Sequence, residues 1–133
     1  EFQLSFSKPT ENKKELTDNE FFKLSGGEKA MAMYVPLFAA VNVRYNGSDK
    51  KDAPRVISLD EAFAGVDEDN ISSMFALLEQ LELDYVLNSQ VLWGTYDSVK
   101  NLSIYELIRQ GEEIVIPIKY HWNGKIKTME MEV

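Results

Sequence analysis

The run Val56-Ile57-Ser58-Leu59, closed by Asp60 and Glu61, limits what this chain folds into more than any other stretch. It is short, β-branched and apolar, which suits a strand buried on both faces of a parallel sheet. Two adjacent carboxylates at its carboxyl end are tolerated mainly where a cation or water receives them. In α/β sheets that end is where ligands bind. The pattern therefore predicts an α/β domain with a polar site at the end of this strand. Asp60 is placed to hold Mg²⁺, directly or through water, and Glu61 to orient and deprotonate an attacking water, the arrangement that phosphoanhydride hydrolysis needs. Taken alone, the same two residues serve equally well to start a helix.

A second motif, LSGGEK at Leu24 to Lys29, stands upstream of it. Ser25, Gly26 and Gly27 precede a strongly helical run, so two glycines permit close backbone approach while the free N–H groups of the helix start face an anion. Alone, Ser-Gly-Gly before a helix is also a good N-cap.

In this order, the two motifs resemble those of ABC-type ATPases. LSGGEK is similar to their signature motif, LDEA to their Walker B motif, and Ala64 to Asp67 to their D-loop. The version resembles SMC, SbcC and MukB-like chromosome and DNA-repair ATPases rather than transporters, in which proline usually stands where this chain has Ala62. The wording through LDEAFAGVDEDN to Leu92-Trp93-Gly94 is similar to large SbcC/MukB-like proteins, including the JetC-type subunit of anti-plasmid systems. The resemblance covers about Phe21 to about Arg109. It implies the C-terminal half of an ABC-type (P-loop NTPase) head, with parallel strands flanked by helices. ATP and Mg²⁺ are the implied cofactors, Asp60 the metal residue and Glu61 the general base. Ser25, Gly26, Gly27 and Glu28 are implied to cap nucleotide held by an opposite head, with Gly65 and Asp67 at the head interface.

The length of 133 residues with 44% hydrophobic content predicts a single domain over 1–133. With no cysteine, neither a disulfide framework nor a thiolate zinc site is available, which fits a cytoplasmic protein. No apolar stretch reaches membrane-spanning length. A net charge of −8 argues against this piece forming a DNA-gripping face, so contact with DNA is expected through the rest of a longer parent. The start at Glu1-Phe2 reads as that of an excised fragment.

Phe2, Leu4 and Phe6 alternate with polar residues and predict a strand; Thr10 to Asn19 reads as a surface loop. After Gly27, Met31, Tyr34, Leu37, Phe38 and Val41 recur at helical spacing, with a kink expected near Ala32 to Pro36. Ile71, Met74, Phe75, Leu78 and Leu81 predict a second amphipathic helix, and Asp84 to Asn88 the next parallel strand. A right-handed crossover between the two strands puts Ser89 and Gln90 beside Asp60 and Glu61. Many ABC ATPases have a switch histidine there. Gln90, or else Ser89, takes the place; a glutamine bonds phosphate or water but carries no proton charge near neutral pH, which questions turnover speed rather than nucleotide binding.

Leu102 to Ile108 is read as a strand. Ile114 to Trp122 and Lys125 to Val133 flank Asn123-Gly124, which predicts a two-residue type I′ hairpin with Tyr120 facing Lys127, Ile118 facing Met129 and His121 opposite Ile126. Pro117 marks an edge or irregular strand. His121, the one histidine, is expected on the exposed face, neither ligand nor base.

No G-x-x-x-x-G-K-S/T string occurs, so the fragment is not expected to hold ATP by itself. The resemblance implies an N-terminal phosphate-loop lobe of the same parent as first partner, a second head in a homodimer, and a nuclease or kleisin-like subunit as a further candidate. Two other readings stay open: a non-catalytic dimerisation or partner-binding module, and a transporter nucleotide-binding domain.

Overall fold

The computed structural model describes residues 5–6, 12–50, 52–90 and 92–130. Strand β1 (Ser5–Phe6) pairs antiparallel with β2 (Lys14–Glu15). Phe2 and Leu4 of the expected first strand lie outside the described residues. The described part of the expected loop, residues 12–19, is less of a loop than its polarity suggests. It holds β2 and the start of helix α1 (Asp18–Lys23), where the Thr17 hydroxyl accepts from the Glu20 N–H at 3.4 Å.

Helix α2 (Gly26–Asn46) starts at a reciprocal capping box: the Glu28 N–H donates to Ser25 Oγ at 3.3 Å and the Ser25 N–H to Glu28 Oε2 at 2.8 Å. It continues through Pro36 for 21 residues. An interior proline costs about 3 kcal/mol; tertiary packing offsets it here, since Phe38 is fully buried and Met31, Tyr34, Val41 and Tyr45 rest on the same core.

Strand β3 (Val56–Leu59) and strand β4 (Asp84–Leu87) form a parallel pair, with Ile57 opposite Tyr85 and Leu59 opposite Leu87. Helix α3 (Glu68–Gln80) makes the crossover and buries Ile71, Met74, Phe75 and Leu78 of the expected stripe, whereas Leu81, the last of it, is the half-buried C-cap beyond the helix. The expectation that β3 is covered on both faces fails. Ile57 is buried and Leu59 half-buried against the helices, whereas Val56 and Val86 are 41% and 63% exposed on the other face. The helices cover one side of the pair, and no described element covers the other.

Strands β5 (Leu102–Gln110), β6 (Ile114–Trp122) and β7 (Lys127–Glu130) form an antiparallel sheet in that order. Trp122 anchors it, its indole N–H donating to the Val99 carbonyl at 2.9 Å inside the core. The hairpin register differs from expectation by two residues: Tyr120 faces Met129 and Trp122 faces Lys127. The expected two-residue turn is replaced by a four-residue loop, because Asn123 Oδ1 accepts from both the Lys125 and Ile126 N–H groups, at 3.0 and 2.9 Å. Lys127, brought beside Trp122, places its ammonium 3.4 Å from the centre of the Trp93 ring. A slip of two preserves which face each side chain takes. His121 lies between Ser103 and Thr128, half-buried rather than exposed. Pro117, in the central strand, falls where only β5 pairs with β6 among the described residues, so its missing N–H breaks no bond to β7.

One side chain ties the base of the parallel pair together. Arg55 donates to Asn42 and Asn46 near the end of α2, at 2.5 and 2.8 Å, and to the Leu81 and Glu82 carbonyls after α3, at 2.9 and 3.1 Å. It thus satisfies a carbonyl at the end of α3 that no helical N–H can reach. Replacing Arg55 by Ala is expected to cost about 2 kcal/mol, on the scale of a partly buried charged hydrogen-bonding group. Urea unfolding would register this as a lower midpoint at constant slope.

Candidate active site

The turn from Asp60 to Gly65 leaves the end of β3 and is bent more sharply than side chains prefer. Glu61 and Phe63 have φ of 49° and 60°, in the left-handed region. Such conformations cost about 1–3 kcal/mol each and persist only when surroundings dictate them. Here the Ala62 N–H donates to the Asn88 carbonyl at 2.8 Å, the Phe63 N–H to the Tyr34 hydroxyl at 3.2 Å, and the Ala64 N–H to the Glu61 carbonyl at 3.2 Å. Ala62 and Phe63 are buried, while Asp60 and Glu61 are exposed. The apolar half of the turn is driven inward, and that leaves the two carboxylates at the sheet's carboxyl edge facing outward.

Asp60 Oδ1 accepts from the Glu61 N–H at 3.0 Å and from Asn88 Nδ2 at 2.8 Å. Among the described residues nothing donates to Oδ2, so a hard oxygen donor suited to Mg²⁺ stands open at the strand end. No cluster of three or more His, Cys, Asp or Glu side chains able to hold a metal occurs among the described residues. A Mg²⁺ at Asp60 would complete its shell from phosphate oxygens and water, as this ion usually does. Asn88 was not singled out by sequence reasoning. Its signal is positional, since it is the first residue after the strand that pairs with β3 in register.

Gln90 is exposed in the loop beyond β4, two residues past the one that reaches Asp60. Ser89 lines a cleft of about 380 Å³ together with Ala62, Gly65, Glu68, Trp93 and Tyr96. Burial pushes the Tyr96 hydroxyl pKa up, aided by the nearby Glu68 carboxylate, so this wall of the cleft stays a neutral phenol.

Residues 26 and 27 meet residues 65–70 directly. Gly26 approaches the Gly65 carbonyl, which would lie 3.9 Å from a Cβ at Gly26. Gly27 is buried, and a Cβ there would strike Asp67 Oδ2 and Asn70 Nδ2. A side chain at Gly27 would have to push both groups aside. Asp67 caps α3: its Oδ1 accepts from the Asn70 N–H at 3.0 Å and its Oδ2 from Asn70 Nδ2 at 2.6 Å. These bonds, the side-chain amide first, hold the Asp67 carboxyl below the usual carboxylate range. Ser25 and Glu28 stand exposed and half-buried, engaged in the capping box. The structure therefore brings Ser25–Glu28 together with Gly65–Asp67, and Asp60 together with Asn88; among the described residues no hydrogen bond joins Gln90 to either group.

Among the described residues no helix is long and apolar enough to cross a membrane. A family model described as SbcC/RAD50-like, Walker B motif matches residues 1–80. No curated protein matches the chain.

Proposed function

We propose that this chain, which belongs to the SbcC/RAD50-like, Walker B motif family, forms one domain over 1–133 that serves as the C-terminal lobe of an ATP-hydrolysing SMC/SbcC-type head. In the whole protein an N-terminal phosphate-loop lobe joins it, and two heads enclose ATP. Asp60 would hold Mg²⁺, which would supply charge neutralisation at the phosphates. Glu61 takes a proton from the attacking water, and Asn88 fixes the carboxylate beside it. Ser25, Gly26 and Gly27 cap the nucleotide held by the opposite head, through the Ser25 hydroxyl and the N–H groups at the start of α2. The work of the whole protein is on DNA, in repair, chromosome organisation or plasmid defence, and its compartment is the cytoplasm.

The observation that carries this reading is the contact between Gly27 and Asp67: two motifs far apart in sequence share one surface, beside a strand that ends in an exposed carboxylate pair. Ser25→Arg, in the full-length protein, is expected to weaken ATP-driven head association at least tenfold, since a long cation displaces the capping hydroxyl and blocks the helix start. Sedimentation with and without ATP measures it. Association at the wild-type ATP concentration would sink the trans-capping role.

A further inference from the structure

Asp67 and Asn70 form a unit whose second contact is not with α3 but with the start of α2. Both carboxylate oxygens of Asp67 accept from Asn70, one from its backbone N–H and one from its side-chain amide. A cap of α3 needs only the first of these bonds. The second, at 2.6 Å, fixes the rotation of the carboxylate and turns the amide nitrogen toward Gly27. A methyl group at Gly27 would have to displace those two side chains, and the residue is buried. The neighbouring glycine, Gly26, faces the Gly65 carbonyl at the other end of the same loop. Residues 65–70 and the first turn of α2 thus pack against one another, and the side-chain hydrogen bond between Asn70 and Asp67 holds the 65–70 side of that contact.

We infer that Asn70 is a positioning residue: by clamping Asp67 against Gly27 it sets the first turn of α2 in the attitude needed to meet nucleotide on an opposing head. The clamp rests on the proposed trans role of Ser25–Gly27 and adds to it a device that transmits the position of the D-loop to the signature loop. With both oxygens engaged inside the chain, the charge of Asp67 works as part of the clamp. A shift of residues 65–70 moves Gly27 with it, because a packed contact without slack transmits displacement.

The test uses the full-length protein, recording ATP-driven head association, kcat, KM for ATP and Tm for each variant. Asn70→Asp is isosteric, removes the amide donor and places a carboxylate against the Asp67 carboxylate, while the backbone N–H that caps α3 is kept. It is expected to raise both KM and the ATP concentration for half-maximal association about tenfold, the size of one hydrogen-bond-scale coupling, with kcat at saturation changed less than about threefold. Gly27→Ala pushes on the clamp from the other side and is expected to act in the same direction. The double variant should fall well short of the product of the two effects, because both disturb one contact. An unchanged KM in Asn70→Asp, a fall in Tm alone, or fully multiplicative effects would overturn the clamp. Ser25→Arg run alongside separates the failures. If it abolishes association while Asn70→Asp is silent, only the clamp falls; if both are silent, the trans-capping reading falls with it.

Discussion

Glu61→Gln in the full-length protein is expected to lower ATP turnover about 10²–10⁴-fold, the usual contribution of a positioned general base, while ATP binding persists. Glutamine has almost the same shape, keeps a hydrogen bond to water and cannot accept its proton. The turn itself should survive the change, because what holds it is backbone bonding and the buried side chains of Ala62 and Phe63, not the exposed Glu61 side chain. Binding and chemistry should therefore separate: equilibrium binding of ATP near wild type, single-turnover hydrolysis nearly absent, and heads that stay associated once ATP has closed them. Turnover within a factor of two of wild type would remove Glu61 from the chemistry. Equal loss of binding and turnover would instead mean that the strained turn had collapsed.

Phe75→Ala should be the most destabilising single truncation among those considered, at about 3–5 kcal/mol. Phe75 is 1% exposed, and its ring lies 5.7 Å from Phe63, 5.4 Å from Tyr85 and 5.0 Å from Tyr96, centroid to centroid. Those partners come from the turn after β3, from β4 and from the loop before β5, so one side chain joins the three segments that surround the site. Truncation would leave a cavity that rigid rings from three directions cannot close. Thermal unfolding is expected to shift down by about 10 °C or more for a domain of this size. A shift of only one or two degrees would mean that the cluster repacks. The site should also loosen, because Phe63 loses its floor while its neighbour Glu61 remains strained.

The relation between sequence and structure differs from element to element. The stripe of Ile71, Met74, Phe75 and Leu78 was legible because one helix face meets one core, and spacing reports that face directly. The β3–α3–β4 unit was legible for the same reason, with a short apolar run at each end of an amphipathic helix. The hairpin register was not. Asn-Gly favours a two-residue turn locally, but the Asn123 side chain caps a wider loop and Trp122 must reach the Val99 carbonyl. The exposed face of β3 was missed because a continuous apolar run says that a strand suits burial, not that this stretch of chain supplies the cover. The role of Arg55 was invisible: its four acceptors are scattered over 42–82 and converge only in three dimensions.

What the sequence determined by itself was chemistry: the order of the signature, Walker B and D-loop motifs, the carboxylate pair at a strand end, the helix caps, and with them the family to which the chain belongs. These are properties of residue type and near-neighbour spacing, and local physics suffices to read them. Tertiary structure decided which side chains meet. It set Asn88 rather than Gln90 on Asp60, because the register of two parallel strands determines what stands opposite the end of β3. It also seated Gly27 against Asp67 and Asn70, residues 40 and 43 positions further along the chain. Contacts at that separation depend on how whole elements pack, and no local preference of glycine, aspartate or asparagine encodes them.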